Sequence, residues 1–441
     1  MVSKDKTLSV WMNGIQVGRL TKSLPGALAF GYTQEWLEMN GSRPISLSMP
    51  LQQKAYTGEL AYNYFDNLLP DNTQIRDRIQ ARFKVSTSHP FDLLAAIGRD
   101  CVGALQITPE SEAPQDVKHI YGEPLTDTQI SKLLMNYRTA PLGMAEESGE
   151  EFRISIAGAQ EKTALLWKDD VWHRPLGATP TTHMFKLPIG KIEHSGMDLR
   201  QSCENEWLCL KISEAFGIPV CNSEILTFDG AKALVVERFD RRQGNGWIMR
   251  LPQEDMCQAL GVSPNIKYES DGGPGIDAVM KLLLQSQSAK QDRELFFKSQ
   301  VLFYLLAGID GHAKNFSVFI EPEGRYRMTP LYDIMSAHPL LASKQLQTQK
   351  IKMAMALTGR NRHYLWHSIQ PRHFISTARH VGFNEKTAKA AVIEMIDSVE
   401  NVISIVEPLI PNNFPDEVST PILDGMRNRS KLYLALTGQK R

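Results

Sequence analysis

Asp310-Gly311-His312-Ala313-Lys314-Asn315, answered further on by Asp333, is the stretch around which the chain is organised. An aspartate followed five residues later by an asparagine, with a second aspartate downstream, fits phosphoryl transfer. The first acid orients or takes the proton of an attacking hydroxyl, and the asparagine and later acid hold Mg²⁺ against the ATP phosphates. The surroundings suit that use. Leu295 to Ala307 is a nearly continuous apolar run, too short and too interrupted to span a bilayer, so it reads as a buried core helix. Gly308 and Gly311 are expected to end that helix and let the chain turn, releasing Asp310 from a rigid element into a loop. Phe316, Val318 and Phe319 then alternate as a strand, and another short apolar segment precedes Asp333. Two other readings stand beside this one. Asp, His and Asn between glycines are ordinary turn residues, and Asp310, His312 and Asp333 are also a ligand set for a metal-dependent hydrolase.

Composition narrows the field. A chain of 441 residues predicts two or three domains, each able to bury a core. Lysines and arginines number 49 and so do aspartates and glutamates, so no global charge drives the chain toward nucleic acid or an anionic membrane. The five cysteines, Cys101, Cys203, Cys209, Cys221 and Cys257, are scattered, with no C-x-x-C pair. That argues for a reducing compartment and against a zinc ribbon or disulfide framework. The start, Met-Val-Ser-Lys-Asp-Lys, has no apolar signal core behind it, and no transmembrane segment is visible. A soluble cytoplasmic protein is expected.

In chain order, Leu8 to Met12 and Ile15 to Leu20 flank Asn13-Gly14 and predict a hairpin with a type I′ turn. Asp71 or Asn72 is placed to cap a helix carrying Ile75, Ile79 and Phe83, and Pro90 to Ile97 predicts another ending at Gly98. Thr108 to Val117 reads as a linker, and Thr126 with Gln129 as a capping box. Phe152, Ile154 and Ile156 alternate as a strand. Ala157-Gly158-Ala159-Gln160-Glu161-Lys162 turns, and Thr163 to Trp167 returns. Such a loop could present backbone amides to phosphates, although with one glycine it is equally an ordinary hairpin. Lys186 sits in the apolar strand Thr182 to Leu187, where a kinase keeps its phosphate-pairing lysine and where many lysines merely snorkel. The helix expected over Asp198 to Phe216 puts Leu199, Cys203, Glu206 and Leu210 on one face, so Glu206 needs a partner. Lys186 is the natural one, with Glu204 a nearby competitor. Ile225 to Phe228 and Ala233 to Val236 predict a hairpin running into the polar crossover Glu237-Arg238-Phe239-Asp240. Pro252 to Leu260 predicts a helix, and Asp271 to Gly275 a turn. The stretch from Arg360 to His380 is basic and His-rich, without tight metal spacing. Asn384 is expected to cap one long helix carrying Val392, Ile396, Val399, Ile403 and Val406.

Taken together, Phe152-Arg-Ile-Ser155-Ile-Ala-Gly-Ala-Gln-Glu-Lys162, Thr181-Thr-His-Met-Phe-Lys186-Leu-Pro, Val236-Glu-Arg-Phe-Asp-Arg-Arg242, Pro252-Gln-Glu-Asp-Met-Cys257, Lys267-Tyr-Glu-Ser-Asp-Gly-Gly-Pro-Gly275, Asp310 to Asn315 and Tyr332-Asp333-Ile resemble the HipA family. These are the serine/threonine-kinase toxins of HipBA toxin–antitoxin pairs. The resemblance covers nearly the whole chain and is vaguest from Thr108 to Glu151 and beyond about Asn384. It implies an α+β, two-lobed protein-kinase-like fold with an added N-terminal α/β subdomain and a mostly helical C-terminal lobe. The expected boundaries are 1–107 for the added subdomain, 108–144 for a linker and helix, 145–250 for the β-rich lobe and 251–441 for the helical lobe.

By position, the resemblance implies that Asp310 is the catalytic acid–base residue and that Asn315 and Asp333 are Mg²⁺ ligands. Lys186 would hold the ATP phosphates, and Ala157, Gly158, Ala159, Gln160, Glu161 and Lys162 would be the phosphate loop. Glu237 and Phe239 would meet adenine through their backbones, and His312 counts among the nucleotide-binding residues. Ser155 would be an autophosphorylation site whose phosphate disrupts the adjacent loop. The partners implied are a HipB-like helix-turn-helix antitoxin, operator DNA mainly through that antitoxin, and glutamyl-tRNA synthetase as substrate. No membrane partner is implied. The wider kinase pattern is not kept: Gly308-Ile309 replaces His-Arg before Asp310, Ile334-Met335 follows Asp333, and no G-x-G-x-x-G is present. A catalytically silent corepressor docked on a DNA-bound partner is the alternative.

Overall fold

Asn13 and Gly14 take left-handed backbone angles, φ 48° and 85°, which a type I′ turn demands and which these residue types tolerate. They join Lys6–Met12 to Ile15–Lys22, with Met12 paired to Ile15. The computed structural model describes residues 6–139, 160–192 and 196–437. The expectations for Phe152 to Ile156, including Ser155, and for Ala157, Gly158 and Ala159 therefore lie outside the described residues. Two units are resolved. The first is Met1–Leu187, Leu226–Asn265 and Ser317–Tyr326; the second is Pro188–Ile225, Ile266–Phe316 and Arg327–Arg441.

In the first unit the hairpin is the centre of an antiparallel sheet. Its order is Tyr56–Thr57, Leu28–Tyr32, Ile15–Lys22, Lys6–Met12, Leu105–Pro109. Val10, Phe30, Phe65 and Leu94 share its buried core, the last two contributed by the helices Glu59–Asp66 and Pro90–Ile97. Asn72 caps Thr73–Phe83 by accepting from the Gln74 amide, and His89 caps Pro90–Ile97. A second sheet runs in the order Ser223–Phe228, Ala231–Glu237, His183–Lys186, Lys162–Lys168, Val171–Pro175, Gly122–Pro124, its first strand entering this unit at Leu226.

A buried charge network ties the elements of this unit together. Asp100 accepts from Thr181 N and Oγ1 at 3.1 and 2.7 Å, from Arg250 Nε at 3.1 Å and from Arg241 Nη2 at 2.9 Å. Asp240 takes Arg238 Nε and Nη2, both at 2.9 Å, and the Gly103 amide at 2.7 Å. Arg238 also bridges to Asp100 at 3.3 Å. Burial by itself would push both carboxyl groups up. The guanidiniums of Arg241, Arg250 and Arg238 instead hold Asp100 far below the usual carboxylate range, and Arg238 and Arg241 bring Asp240 to about 2. Three guanidiniums face two carboxylates, and the remaining donors go to main-chain carbonyls of Cys101, Gly103, Thr181 and Ala178. The turn residue Asn13 joins in, exchanging two 2.9 Å hydrogen bonds with the backbone of Arg250.

The second unit is mainly helical. Ser202–Ala215, Ile276–Leu283, Ala289–Leu306, Pro371–His380, Glu385–Asp397, Val399–Val406 and Asp416–Thr437 are its longer helices. Ala289–Leu306 runs through its middle, with Phe296, Phe297, Val301, Leu302, Tyr304 and Leu305 buried. No helix among the described residues is long and apolar enough to cross a membrane.

Three expectations need correction. Gln253–Asp255 is a strand paired with Ser317–Ile320, and only Met256–Ala259 is helical, because Asp255 caps it through a capping box with Gln258. The helix expected from Asp198 starts at Ser202. Met197–Leu199 instead pairs with Gly190–Ile192, so Leu199 leaves the predicted stripe. The long helix capped by Asn384 is broken at Ser398 into Glu385–Asp397 and Val399–Val406.

Asp100→Ala would strand three buried guanidiniums and is expected to cost about 3–5 kcal/mol, read as a lower denaturant midpoint; an unchanged midpoint contradicts this. Glu254 gives a pH signature. It is fully buried, accepts from Ser46 Oγ at 2.5 Å and the Leu47 amide at 2.7 Å, and burial pushes it up to about 8. Its folded-state value lies above its unfolded one. Its stabilising contribution is therefore complete below about pH 4.5 and is lost as pH rises toward 8. Stability measured across that window should fall in the wild type and fall less in Glu254→Gln.

Candidate active site

The loop after the central helix is shaped by packing. The helix ends at Ala307, whose φ of 48° is left-handed, not at a glycine as expected. Gly308 and Gly311 serve another purpose: a Cβ at either position would run into Phe303, which is buried and cannot yield. The two glycines let the loop lie flat on the helix that launches it, which fixes the height at which Asp310 stands. His312 N donates back to Asp310 O at 2.8 Å, and Ala313–Asn315 closes as a 3₁₀ turn.

Asn315 joins the two acids. Its Nδ2 donates to the Asp310 carbonyl at 2.8 Å and to the Asp333 carbonyl at 3.3 Å. Asp310, Asn315 and Asp333 thus come together within the second unit. Asp333 is itself held at φ 59°, a left-handed conformation that aspartate tolerates but does not favour. Its segment is pinned on both sides. Leu331 N donates to Pro219 O at 2.8 Å and Cys221 N to Leu331 O at 3.0 Å. Beyond it, Asn205 and the backbone of Ser336 exchange two 2.8 Å bonds, and Ser336 Oγ donates to Leu306 O at 2.6 Å. Tyr332 Oη donates to Lys314 O at 2.9 Å, crossing from one acid's loop to the other's.

The remaining expected residues lie in two places. Lys186, on the strand His183–Lys186, is buried and stands opposite Leu234 on one side and Lys162 on the other. Gln160 Nε2 donates to Leu187 O at 2.5 Å, and Glu161 forms an ion pair with Arg78. Glu237 ends its strand opposite His183, Arg238 N donates to Thr182 O at 2.9 Å, and Phe239 meets Phe319 edge-on at 5.7 Å. These belong to the first unit. Glu204 and Glu206 are buried on Ser202–Ala215 in the second. His312 packs edge-on against Tyr268 at 4.9 Å. No three His, Cys, Asp or Glu side chains among the described residues gather as a metal cluster, so the hydrolase ligand set does not form.

Residues 154–403 match the HipA-like C-terminal domain, and residues 8–108 match the HipA N-terminal domain. The chain belongs to the HipA family of serine/threonine protein kinases. The serine/threonine-protein kinase toxin HipA of Shewanella oneidensis is 30% identical over 348 residues, 76% of each chain. A protein of Sinorhizobium fredii named as a kinase, Y4mE, is 34% identical over 346 residues, 77% of this chain and 80% of that one. A solved HipA from Shewanella oneidensis, in complex with HipB and its operator DNA, superposes with a TM-score of 0.80 at 23% identity over 98% of both chains, which shows the shared fold.

Sequence reasoning missed several residues that shape this candidate site. Asn205 carried a signal, since asparagine is a poor helix former and here sits within a helix amid buried neighbours. Ser336 and Tyr268 carried none, because both act through contacts tens of residues or more away in sequence. Gly311→Ala is expected to cost about 1–3 kcal/mol by overpacking and to displace Asp310. Adding Phe303→Leu should recover part of that loss in denaturant unfolding, and no recovery would show that the ring contact is not the cause.

Proposed function

We propose that this chain is an ATP- and Mg²⁺-dependent protein kinase toxin whose chemistry is carried by Asp310, Asn315 and Asp333. The observation that carries the reading is the Asn315 amide. With its nitrogen committed to the carbonyls of Asp310 and Asp333, its oxygen is the atom left to face a cation, and the Asp333 carboxylate supplies a second hard oxygen ligand. The donor set fits Mg²⁺, which when bound would neutralise charge on the transferring phosphoryl group. Asp310 orients the acceptor hydroxyl and accepts its proton at a carboxylate oxygen. Lys186 pairs with the ATP phosphates, backed by Gln160, Glu161 and Lys162 and the loop residues Ala157, Gly158 and Ala159. His312 completes the nucleotide contacts, and the backbones of Glu237 and Phe239 meet adenine.

In this reading Ser155 is the autophosphorylation site. A dianionic phosphate beside a loop meant for ATP phosphates repels them or competes for the same amides, so the product is self-inhibited. A HipB-like helix-turn-helix antitoxin is the partner, with which the chain acts as a corepressor touching operator DNA mainly through that partner. The solved HipA of similar fold is in complex with HipB and its operator DNA, which supports this choice of partner. Glutamyl-tRNA synthetase is the proposed substrate, and the cytoplasm the proposed location.

The test is intact mass and phosphopeptide mapping after incubation of unphosphorylated protein with ATP and Mg²⁺. Wild type should gain a single phosphate at Ser155. Asp310→Asn should gain none while keeping its circular dichroism spectrum. Absence of incorporation by folded, ATP-binding wild type would favour the catalytically silent corepressor instead.

A further inference from the structure

The catalytic aspartate has a neighbour that the reading above does not use. Tyr268 Oη donates to Asp310 Oδ1 at 2.5 Å, within one unit and from a segment 42 residues away. Only one of the two carboxylate oxygens is engaged by this bond. A tyrosine phenol is a neutral donor at neutral pH, and a hydroxyl donating to an ionised carboxylate makes a short, charge-assisted bond.

The phenol is delivered there by a built segment. Lys267 O accepts from Ala313 N at 3.3 Å, joining this segment to the Asp310–Asn315 loop directly. The Tyr268 ring meets His312 edge-on. Next to it Glu269, buried, accepts from Ala356 N at 2.6 Å and pairs with Arg362 on the strand Arg362–Leu365. The glycines that follow wrap this anchor closely. A Cβ on Gly273 would meet the carbonyl of Ile266, and one on Gly275 would meet the Glu269 carboxylate. The run Asp271-Gly-Gly-Pro-Gly275 is thus a turn folded around Glu269, and Tyr268 is placed by that anchor independently of Asp310.

We propose that Tyr268 is a positioning residue for phosphoryl transfer: it fixes the rotamer of Asp310 by holding Oδ1, leaving Oδ2 for the acceptor hydroxyl. The proposal rests on the reading of Asp310 as the acid–base residue. A carboxylate free to turn about its last torsion spends little time aimed at the acceptor, and small misplacements of a reacting group lower rate steeply without weakening binding.

The experiment measures phosphate transfer from labelled ATP by unphosphorylated wild type, Tyr268→Phe, Glu269→Gln and Asp310→Asn. Tyr268→Phe should lower the rate at saturating ATP about tenfold or more, with the half-saturating ATP concentration and the melting temperature unchanged. Glu269→Gln keeps the phenol but loosens its anchor, and should lower the rate at unchanged ATP dependence by a smaller factor. A merely structural role would move melting and ATP dependence together with the rate, and that result overturns the proposal. So does a wild-type rate in Tyr268→Phe while Asp310→Asn is inactive. Full activity in Asp310→Asn would overturn the reading of Asp310 itself, a separate and distinguishable failure.

Discussion

Two carboxylates and three guanidiniums, removed from water together, set the terms for the first unit. Removing any of these charges from water is costly by itself, and their mutual attraction offsets that cost only when geometry and hydrogen bonding are nearly complete. Here they are. Asp100 and Asp240 receive every nearby guanidinium, and the surplus positive charge is spread over main-chain carbonyls of Cys101, Gly103, Thr181 and Ala178. What the network contributes is registry. It joins the turn before Leu105–Pro109, the segment leading into His183–Lys186, the crossover after Glu237 and the strand Ile248–Arg250, which are far apart in sequence. The crossover that carries Glu237 and Phe239 is thereby fixed by its even-numbered and following charged residues, Arg238, Asp240 and Arg241. Its charges do structural duty, and Arg238 N adds a main-chain bond to Thr182 O.

In the second unit the organising groups are neutral amides. Asn315 joins the loops of Asp310 and Asp333, and Asn205 locks the segment beyond Asp333 to a helix through two reciprocal bonds. An amide suits this work because it donates and accepts in one plane without a desolvation cost as large as that of an ion. Phe303 completes the arrangement sterically, since the loop's glycines exist to lie against its ring. The candidate site lacks the familiar His-Arg-Asp and Asp-Phe-Gly sequences, yet its two acids and an amide are brought together through main-chain carbonyls.

Much of this was legible in the chain. The period-two alternation around Asn13-Gly14 specified a hairpin because no other short element fits both the alternation and a turn needing positive φ at two residues. The capping signals at Asn72, Thr126 and Asn384 acted as expected, since a cap is satisfied within a few residues. The spacing of Asp310, Asn315 and Asp333 picked out residues that the fold brings together, and the order of seven motifs carried the family. Two of the errors share a cause: Gln253 to Asp255 and Asp198 to Leu199 read as helical on local pattern, whereas ladder partners at Ser317–Ile320 and Gly190–Ile192 drew them into strands.

The sequence by itself therefore determined what depends on neighbours along the chain: turns, caps, apolar periodicity and the residue types that phosphoryl transfer needs. Only the tertiary structure decided what depends on partners distant in sequence. Asn13 is a turn residue in the chain and a clamp on Arg250 in the fold. Gly311 looks like a helix stop and is a seat for Phe303. Tyr268 carries no local signal in the chain and holds an oxygen of Asp310 in the fold. The reason is physical: a hydrogen bond or a steric contact between residues tens or hundreds of positions apart leaves no periodicity, so it can be read only after the chain has closed those loops.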